Sequence, residues 1–377
     1  MREIVVLIVF TLLVTFNSYS QKDSISYSFF IAGHVSGRTG NNNIIGIHPA
    51  FKEKFEYIQN RTEIKFGVFT GDIVSPHPVE QDWDEVDDDV NLLGLPVYFA
   101  VGNHDMENRP LYESRYGITY YHFIYSNDLF IILDPNIDGW SITGEQLDFL
   151  VDVVDSNYES VDNIFVFFHQ LLWKPGNSTY SAVKINSYAG IVPPINFSSE
   201  IEPIFKSLNK PVVFFAGDLG AGSWSSDFMY DSYDNISLVA SGMGEGVGDN
   251  FIIANIFEDK SISYDLICLN DTVLNCFGEL KDYQISPNSV DETEIENFKI
   301  YPNPAKQNIQ IQKIGNFNLY TKLSVIIINN QGIITDEFLM NQNEINMDIS
   351  SYTAGLYFIL IKNNRGAILQ MQRIIIE

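Results

Sequence analysis

Val97-Tyr-Phe-Ala-Val-Gly-Asn-His-Asp105 is an apolar run that stops at a glycine and then presents three side chains suited to binding cations or moving protons. The run reads as a buried strand, which places Gly102, Asn103, His104 and Asp105 at its carboxyl end. Four more runs finish the same way. Lys65-Phe-Gly-Val-Phe-Thr-Gly-Asp-Ile-Val74 delivers Asp72, and Tyr27-Ser-Phe-Phe-Ile-Ala-Gly-His34 delivers His34. Asn163-Ile-Phe-Val-Phe-Phe-His169 ends on His169, and Val212-Val-Phe-Phe-Ala-Gly-Asp218 on Asp218. Ligands of open α/β sheets bind outside the carboxyl edge of the strands, so five such ends predict one site. Imidazole, carboxylate and amide oxygen together suit a borderline to hard divalent metal such as Zn, Mn, Fe or Mg.

In this order the motifs resemble the calcineurin-like metallophosphoesterase superfamily, whose pattern runs D-x-H, G-D-x-x-D, G-N-H-D/E, a lone His, then G-H-x-H. Gly71-Asp72, the whole of Gly102-Asn-His-Asp105, and His169 match it. So do Arg115-Tyr-Gly-Ile-Thr-Tyr-Tyr-His-Phe123, Phe130-Ile-Ile-Leu-Asp134 and Gly144-Glu-Gln-Leu-Asp-Phe-Leu150, and the resemblance spans residues 27 to 270. It implies an αββα body of two packed sheets flanked by helices. The chain departs from the pattern at Ala32, Ser75 and Gly217-Asp-Leu-Gly220, where the family carries Asp, Asp and the paired His motif. Carried over residue by residue, one of the family's two metal sites is stripped to His34 and a share of Asp72. The other keeps Asp72, Asn103 and His169, with Asp218 standing in for a His.

The resemblance therefore implies one divalent metal (Mn, Mg, Fe or Zn, with calcium compatible), since replacing His by Asp hardens the donor set. By the same resemblance His104 is the general acid for the leaving alkoxide and Asp105 orients it; alternatively, Asp105 is a turn carboxylate. His34 is either a weak ligand or a hydrogen-bond donor to a substrate oxygen. The implied activity is hydrolysis of a phosphomonoester or phosphodiester of a small organic substrate. The alternative is a catalytically weakened metal-binding module of the same fold that binds a phosphorylated or glycan ligand. Retention of His104 favours the enzyme.

Smaller features stand beside these. Ser241-Gly-Met-Gly-Glu-Gly-Val-Gly-Asp249 lacks the Lys-Ser/Thr ending of a phosphate loop and reads as a turn between strands, or as a rim of the site. Trp140, Trp173 and Trp224 lie in loops beyond strand ends, where packing is the favoured role and stacking on a sugar or base the other. Glu80-Gln-Asp-Trp-Asp-Glu-Val-Asp-Asp-Asp89 carries seven acids but spaces Trp83, Val86 and Val90 as a helix does, which predicts a solvated helix face.

Residues 1–20 open with Arg2, continue apolar from Ile4 to Phe16 and end in Ser18-Tyr-Ser20, the layout of a secretory signal and too short to be a membrane anchor. Toward the other end, Tyr301-Pro-Asn-Pro-Ala305 introduces short alternating strands through Arg373-Ile-Ile-Ile-Glu377, a pattern that predicts a small Ig-like β-sandwich. This module resembles the type IX secretion C-terminal sorting domain of Bacteroidetes, which implies the outer-membrane secretion machinery as partner and a secreted or cell-surface location. Expected boundaries are a signal peptide at 1–20, a phosphoesterase domain at 21–275, a linker at 276–297 with Pro287 to Asn297 its polar part, and the sorting domain at 298–377. From residue 299 onward the charge is +2, against -28 for everything before it, and so acidic a body argues against nucleic acid. Arg38, Arg109 and Arg115 are the nearest candidates for contacting a phosphate. The two cysteines, Cys268 and Cys276, flank a turn-like Asn270-Asp-Thr272, and a disulfide between them suits an exported protein.

Overall fold

The computed structural model describes residues 24–37, 45–244, 246, 248–269, 277–285, 297–314, 323–329, 334–340, 342, 344–362 and 368–377. The expected signal peptide, Arg38, Cys276 and nearly all of the Pro287–Asn297 segment lie outside those residues. Two compact units divide the chain, Met1–Asn288 and Ser289–Glu377.

In the first unit, β1 (Ile25–Ala32), β2 (Ile64–Thr70) and β3 (Val97–Ala100) run parallel. A second sheet is built on β4 (Tyr121–Tyr125), β5 (Asp128–Ile132), β6 (Ile164–Phe167), β7 (Val212–Ala216), β8 (Phe228–Tyr233) and β9 (Ile236–Ser241), in the order β4-β5-β6-β7-β9-β8. Within it β5, β6, β7 and β9 are parallel, and antiparallel β4 and β8 close the edges. The first sheet is completed by antiparallel β10 (Asn250–Phe257) and β11 (Ile262–Cys268), giving β11-β10-β1-β2-β3. Because β3 is the outer strand of its sheet, Val97 and Tyr98 are only half-buried, unlike the fully covered strand that the run suggested.

Three apolar layers make this an αββα body. Phe29, Phe66, Val68, Phe130, Phe165, Phe167 and Phe215 fill the space between the sheets. Phe29 lies 5.3 Å from Phe66, 5.3 Å from Phe130 and 5.1 Å from Phe165, so one ring bridges both sheets. Outside the first sheet, Phe51, Phe55, Trp83, Val86 and Tyr112 pack helices onto it. Leu150, Val153, Val154 and Phe205 do the same for the second sheet. The acidic run forms the Glu80–Leu93 helix with Trp83 and Val86 inward, as its spacing predicts. Its outer face is not left wholly to solvent: Arg115 bonds Glu80, Asp84 and Asp87, which takes that arginine out of phosphate contact.

Phe277–Ile285, assigned to the linker by sequence, is part of the first body. Leu280 is buried with the inter-sheet residues, and Glu279 and Gln284 bridge to Asp265 and Tyr230. Phe277 and Tyr283 pack on Phe228, and Ile285 packs on the outer core of the second sheet. Cys268 is disulfide-bonded.

The second unit is all antiparallel β. A three-stranded sheet of β12 (Asn297–Tyr301), β13 (Asn308–Ile314) and β16 (Glu344–Asp348) faces a four-stranded one of β14 (Leu323–Asn329), β15 (Ile334–Met340), β17 (Gly355–Lys362) and β18 (Ile368–Ile376). Ile309, Ile311, Val325, Ile327, Ile359, Ile361 and Ile374 form its own core, the sandwich that the alternating strands predict.

Truncating Phe29 to alanine should lower the unfolding free energy by about 3–5 kcal/mol, measured by urea denaturation, because the ring's six aromatic neighbours cannot all collapse into the gap. Since each unit has a separate core, residues 24–288 expressed alone should melt within a few degrees of the full chain, and failure to fold would show that the sandwich is needed.

Candidate active site

The carboxyl ends of β1, β2 and β3 in one sheet and of β6 and β7 in the other bring His34, Asp72, His104, His169 and Asp218 together. Asp72 is the centre. Its Oδ1 accepts the His104 backbone N–H at 3.1 Å. Its Oδ2 is buried without a hydrogen bond and lies 3.4 Å from His169 Nε2, 3.5 Å from His34 Nε2 and 3.5 Å from His104 Nδ1. Asp218 Oδ1 stands 3.7 Å from His169 Nε2.

Backbone geometry creates this proximity. Asp72 and His34 both have left-handed φ, 48° and 54°, a conformation costing about 1–2 kcal/mol for a residue with a Cβ and common at functional sites. Gly71 must be glycine for a second reason. A Cβ there would meet the His169 ring at 2.4 Å, so its absence lets β2 and β6 close on each other. Crosslinks fix the ends: His34 N–H donates to Gly71 O at 3.0 Å, and Gly217 and Asp218 N–H donate to His169 O at 2.9 and 3.0 Å.

The imidazoles are oriented from behind. His169 donates from Nδ1 to Thr70 O at 2.8 Å and His34 from Nδ1 to Met243 O at 3.0 Å, so each turns Nε2 toward the cluster. Burial pushes His34 down to about 4, leaving it neutral with a lone pair on Nε2. For His169 burial acts the same way, but the Asp72 carboxylate outweighs it and raises the ring to about 10. Burial alone would raise Asp72 too, yet His169 beside it holds the carboxyl well below the usual range. Asp218 is pushed up to about 7 by burial, with His169 opposing and Asp72 adding to the rise.

Lone pairs and charges thus converge on a point where Asp72 Oδ2, His169 Nε2 and both Asp218 oxygens are buried and without hydrogen bonds. Among the described residues no three His, Cys, Asp or Glu side chains form a ready-made ion cage. The separations are those of a cluster one step from it: donors held about 2.1 Å from a shared ion stand roughly 3.0–3.4 Å from one another. The donor set of imidazole and carboxylate fits a divalent cation.

The other expected residues stand around this group. Asn103 is half-buried on the adjoining turn, and its amide makes no hydrogen bond to the cluster among the described residues. Asp105 is the turn carboxylate of the two readings rather than the partner of His104. Its Oδ1 accepts the N–H groups of Ile73 and Val74 at 2.8 and 3.0 Å, and its Oδ2 that of Gly102 at 2.7 Å, clamping the β2 and β3 ends. Arg109 is held by Asp134 at 2.8 Å and by Glu113, so it too serves the fold. The glycine-rich loop after β9 does reach the site, through Met243 O.

Residue order had concealed Asn186. Its amide donates to His34 Nε2 at 3.2 Å and accepts from Trp224 Nε1 at 3.1 Å, linking loops with no motif of their own.

An αββα body with His and Asp converging at the strand ends is the architecture of a metallophosphoesterase domain. Residues 41–191 match the family model of the calcineurin-like phosphoesterases, and residues 299–377 match that of the secretion system C-terminal sorting domain. The first match makes the leading unit similar to calcineurin-like phosphoesterases, and the second marks the chain for export to the cell surface or beyond. Asp72, Asn103, His104, Asp105 and His169 fall within the first match, and His34 and Asp218 outside it. A comparison with curated proteins returned no match. No helix among the described residues is long and apolar enough to cross a membrane.

The folded-state value of Asp218 lies above its ordinary 3.8, so its ionisation costs stability progressively from about pH 4 to pH 7, and the whole cost is present above that. In metal-free protein Asp218→Asn should raise stability by on the order of 1 kcal/mol or more at pH 8, with the gain fading by pH 4. The same variant should lose the rise in melting temperature that divalent ions give the wild type. Thermal melts with and without metal at the two pH values check both signs.

Proposed function

We propose that the protein is an exported metal-dependent phosphoesterase that hydrolyses a small phosphomonoester or phosphodiester, with Asp72, His169 and Asp218 holding one divalent cation (Mn, Mg, Fe or Zn) and Asn103 completing the set from the adjoining turn. The observation that carries this is the Asp72 Oδ2 atom, buried without a hydrogen bond and ringed by three imidazole nitrogens within 3.5 Å. Such an arrangement is costly unless a cation compensates it. A bound divalent ion supplies Lewis-acid stabilisation of phosphoryl charge and lowers the pKa of the attacking water.

The chain's own side chains do the rest. His104 is the most open of the three clustered imidazoles, its side chain 21% exposed against 4% for His34 and none for His169. Its backbone N–H and its Nδ1 both face Asp72, which locates the ring at the cluster's edge. A ring held there meets the departing alkoxide and gives it a proton. His34 is unsuited to that role or to donating to a substrate oxygen, because its Nδ1–H already serves Met243 and its Nε2 accepts from Asn186. It anchors the Asn186 loop beside the Asp72 carboxylate instead. Asp105 acts only through the turn it clamps.

His104→Asn should keep the metal and the fold while lowering turnover by on the order of 10²–10⁴, most on esters with poor leaving groups. A panel of aryl and alkyl phosphoesters assayed with each divalent metal tests this. Wild-type protein that turns over none of them would replace the enzyme by a metal-dependent binding module.

A further inference from the structure

Trp83, Trp140 and Trp173 are buried, whereas Trp224 keeps 48% of its surface exposed. The ring is exposed yet held. Its indole N–H donates to Asn186, whose amide in turn donates to His34 Nε2. Two hydrogen bonds therefore separate this surface ring from the cluster. Against it lies Gly222, where a Cβ would come within 2.3 Å of the indole and push the ring from this position. The supporting loop is braced: Gly220 N–H donates to Ser225 Oγ at 3.1 Å, Ser225 N–H to Gly222 O at 2.9 Å and Ser226 N–H to Lys184 O at 2.7 Å.

Asn186 carries a second exposed aromatic two residues on. Tyr188 is 49% exposed, stacks on the buried Trp140 with centroids 6.0 Å apart and planes at 12°, and receives Lys174 on its hydroxyl. Both rings gain little from burial but are fixed by hydrogen bonds or stacking, which is preorganisation for a ligand face. Positive charge here is confined to Lys174 on the Tyr188 hydroxyl and to the proposed cation, which attract the phosphoryl end of any ester alike. The body is strongly acidic, and Arg109 and Arg115 are bound to carboxylates. Preference among anionic esters must then come from the uncharged part.

We propose that Trp224, with Tyr188 on the neighbouring loop, is a stacking platform for the alcohol moiety of the ester, so that the ligands are phosphoesters of flat-faced uncharged alcohols, either aryl groups or the apolar face of a sugar ring. The assignment to substrate rests on the phosphoesterase reading, but the binding does not require turnover. Calorimetry with the metal-loaded full chain compares phenylphosphonate, a C-glucosyl phosphonate and methylphosphonate, none of which has a cleavable ester bond. At least one flat-faced analogue should bind ten or more times more tightly than methylphosphonate and alter the emission of the exposed tryptophan, and whichever does so identifies the alcohol. Trp224→Ala should reduce that preference to within twofold, and Trp224→Tyr should retain most of it. Equal affinities in the wild type, no binding of any analogue, or a preference unchanged in Trp224→Ala would overturn the platform. An intact preference in a protein that hydrolyses no ester would sustain it and sink the hydrolase reading.

Discussion

One buried carboxylate governs this molecule. Asp72 Oδ2 has no hydrogen bond and three imidazole nitrogens around it, and the chain accepts a left-handed backbone at Asp72 and His34 to keep it so. Left alone, the arrangement holds by attraction between the ionised Asp72 carboxyl and the protonated His169 ring, while Asp218 resists ionisation beside them. A divalent cation satisfies all of these groups at once, which is why binding and folding should be coupled here.

The fold exists to hold that point. Aromatic rings between the sheets, with Phe29 touching both, set a spacing at which the ends of β1, β2 and β3 meet those of β6 and β7. Direct backbone bonds then join the ends within each sheet, and Asp105 ties the β2 turn to the β3 turn. The site is therefore a property of the sheet edges, and the loops beyond them, carrying Asn186 and Trp224, are where ligand preference can be varied without disturbing the cluster.

Much of this was legible in the chain because parallel strands write themselves as apolar runs with chemistry at one end. His34, Asp72, His104, His169 and Asp218 follow such runs and meet as the runs imply. Asp105 was ambiguous for a physical reason: a carboxylate after Gly-Asn-His can face a ring or backbone N–H groups, and only the approach of the β2 turn decides. Asn186 was invisible, since its partner His34 lies 152 residues away and its loop has no periodicity. The Phe277–Ile285 segment reads as linker because its apolar residues, Phe277, Leu280, Tyr283 and Ile285, follow no strand or long-helix period. Arg109 and Arg115 looked available to a phosphate until their acidic partners, brought in from other elements, were seen.

Whether one divalent ion is held at Asp72 is measured by elemental analysis of the purified chain after gel filtration. One tightly held divalent ion per chain, lost in both Asp72→Ala and His169→Ala, is expected. Two tightly held ions, or either count unchanged in those variants, would contradict it.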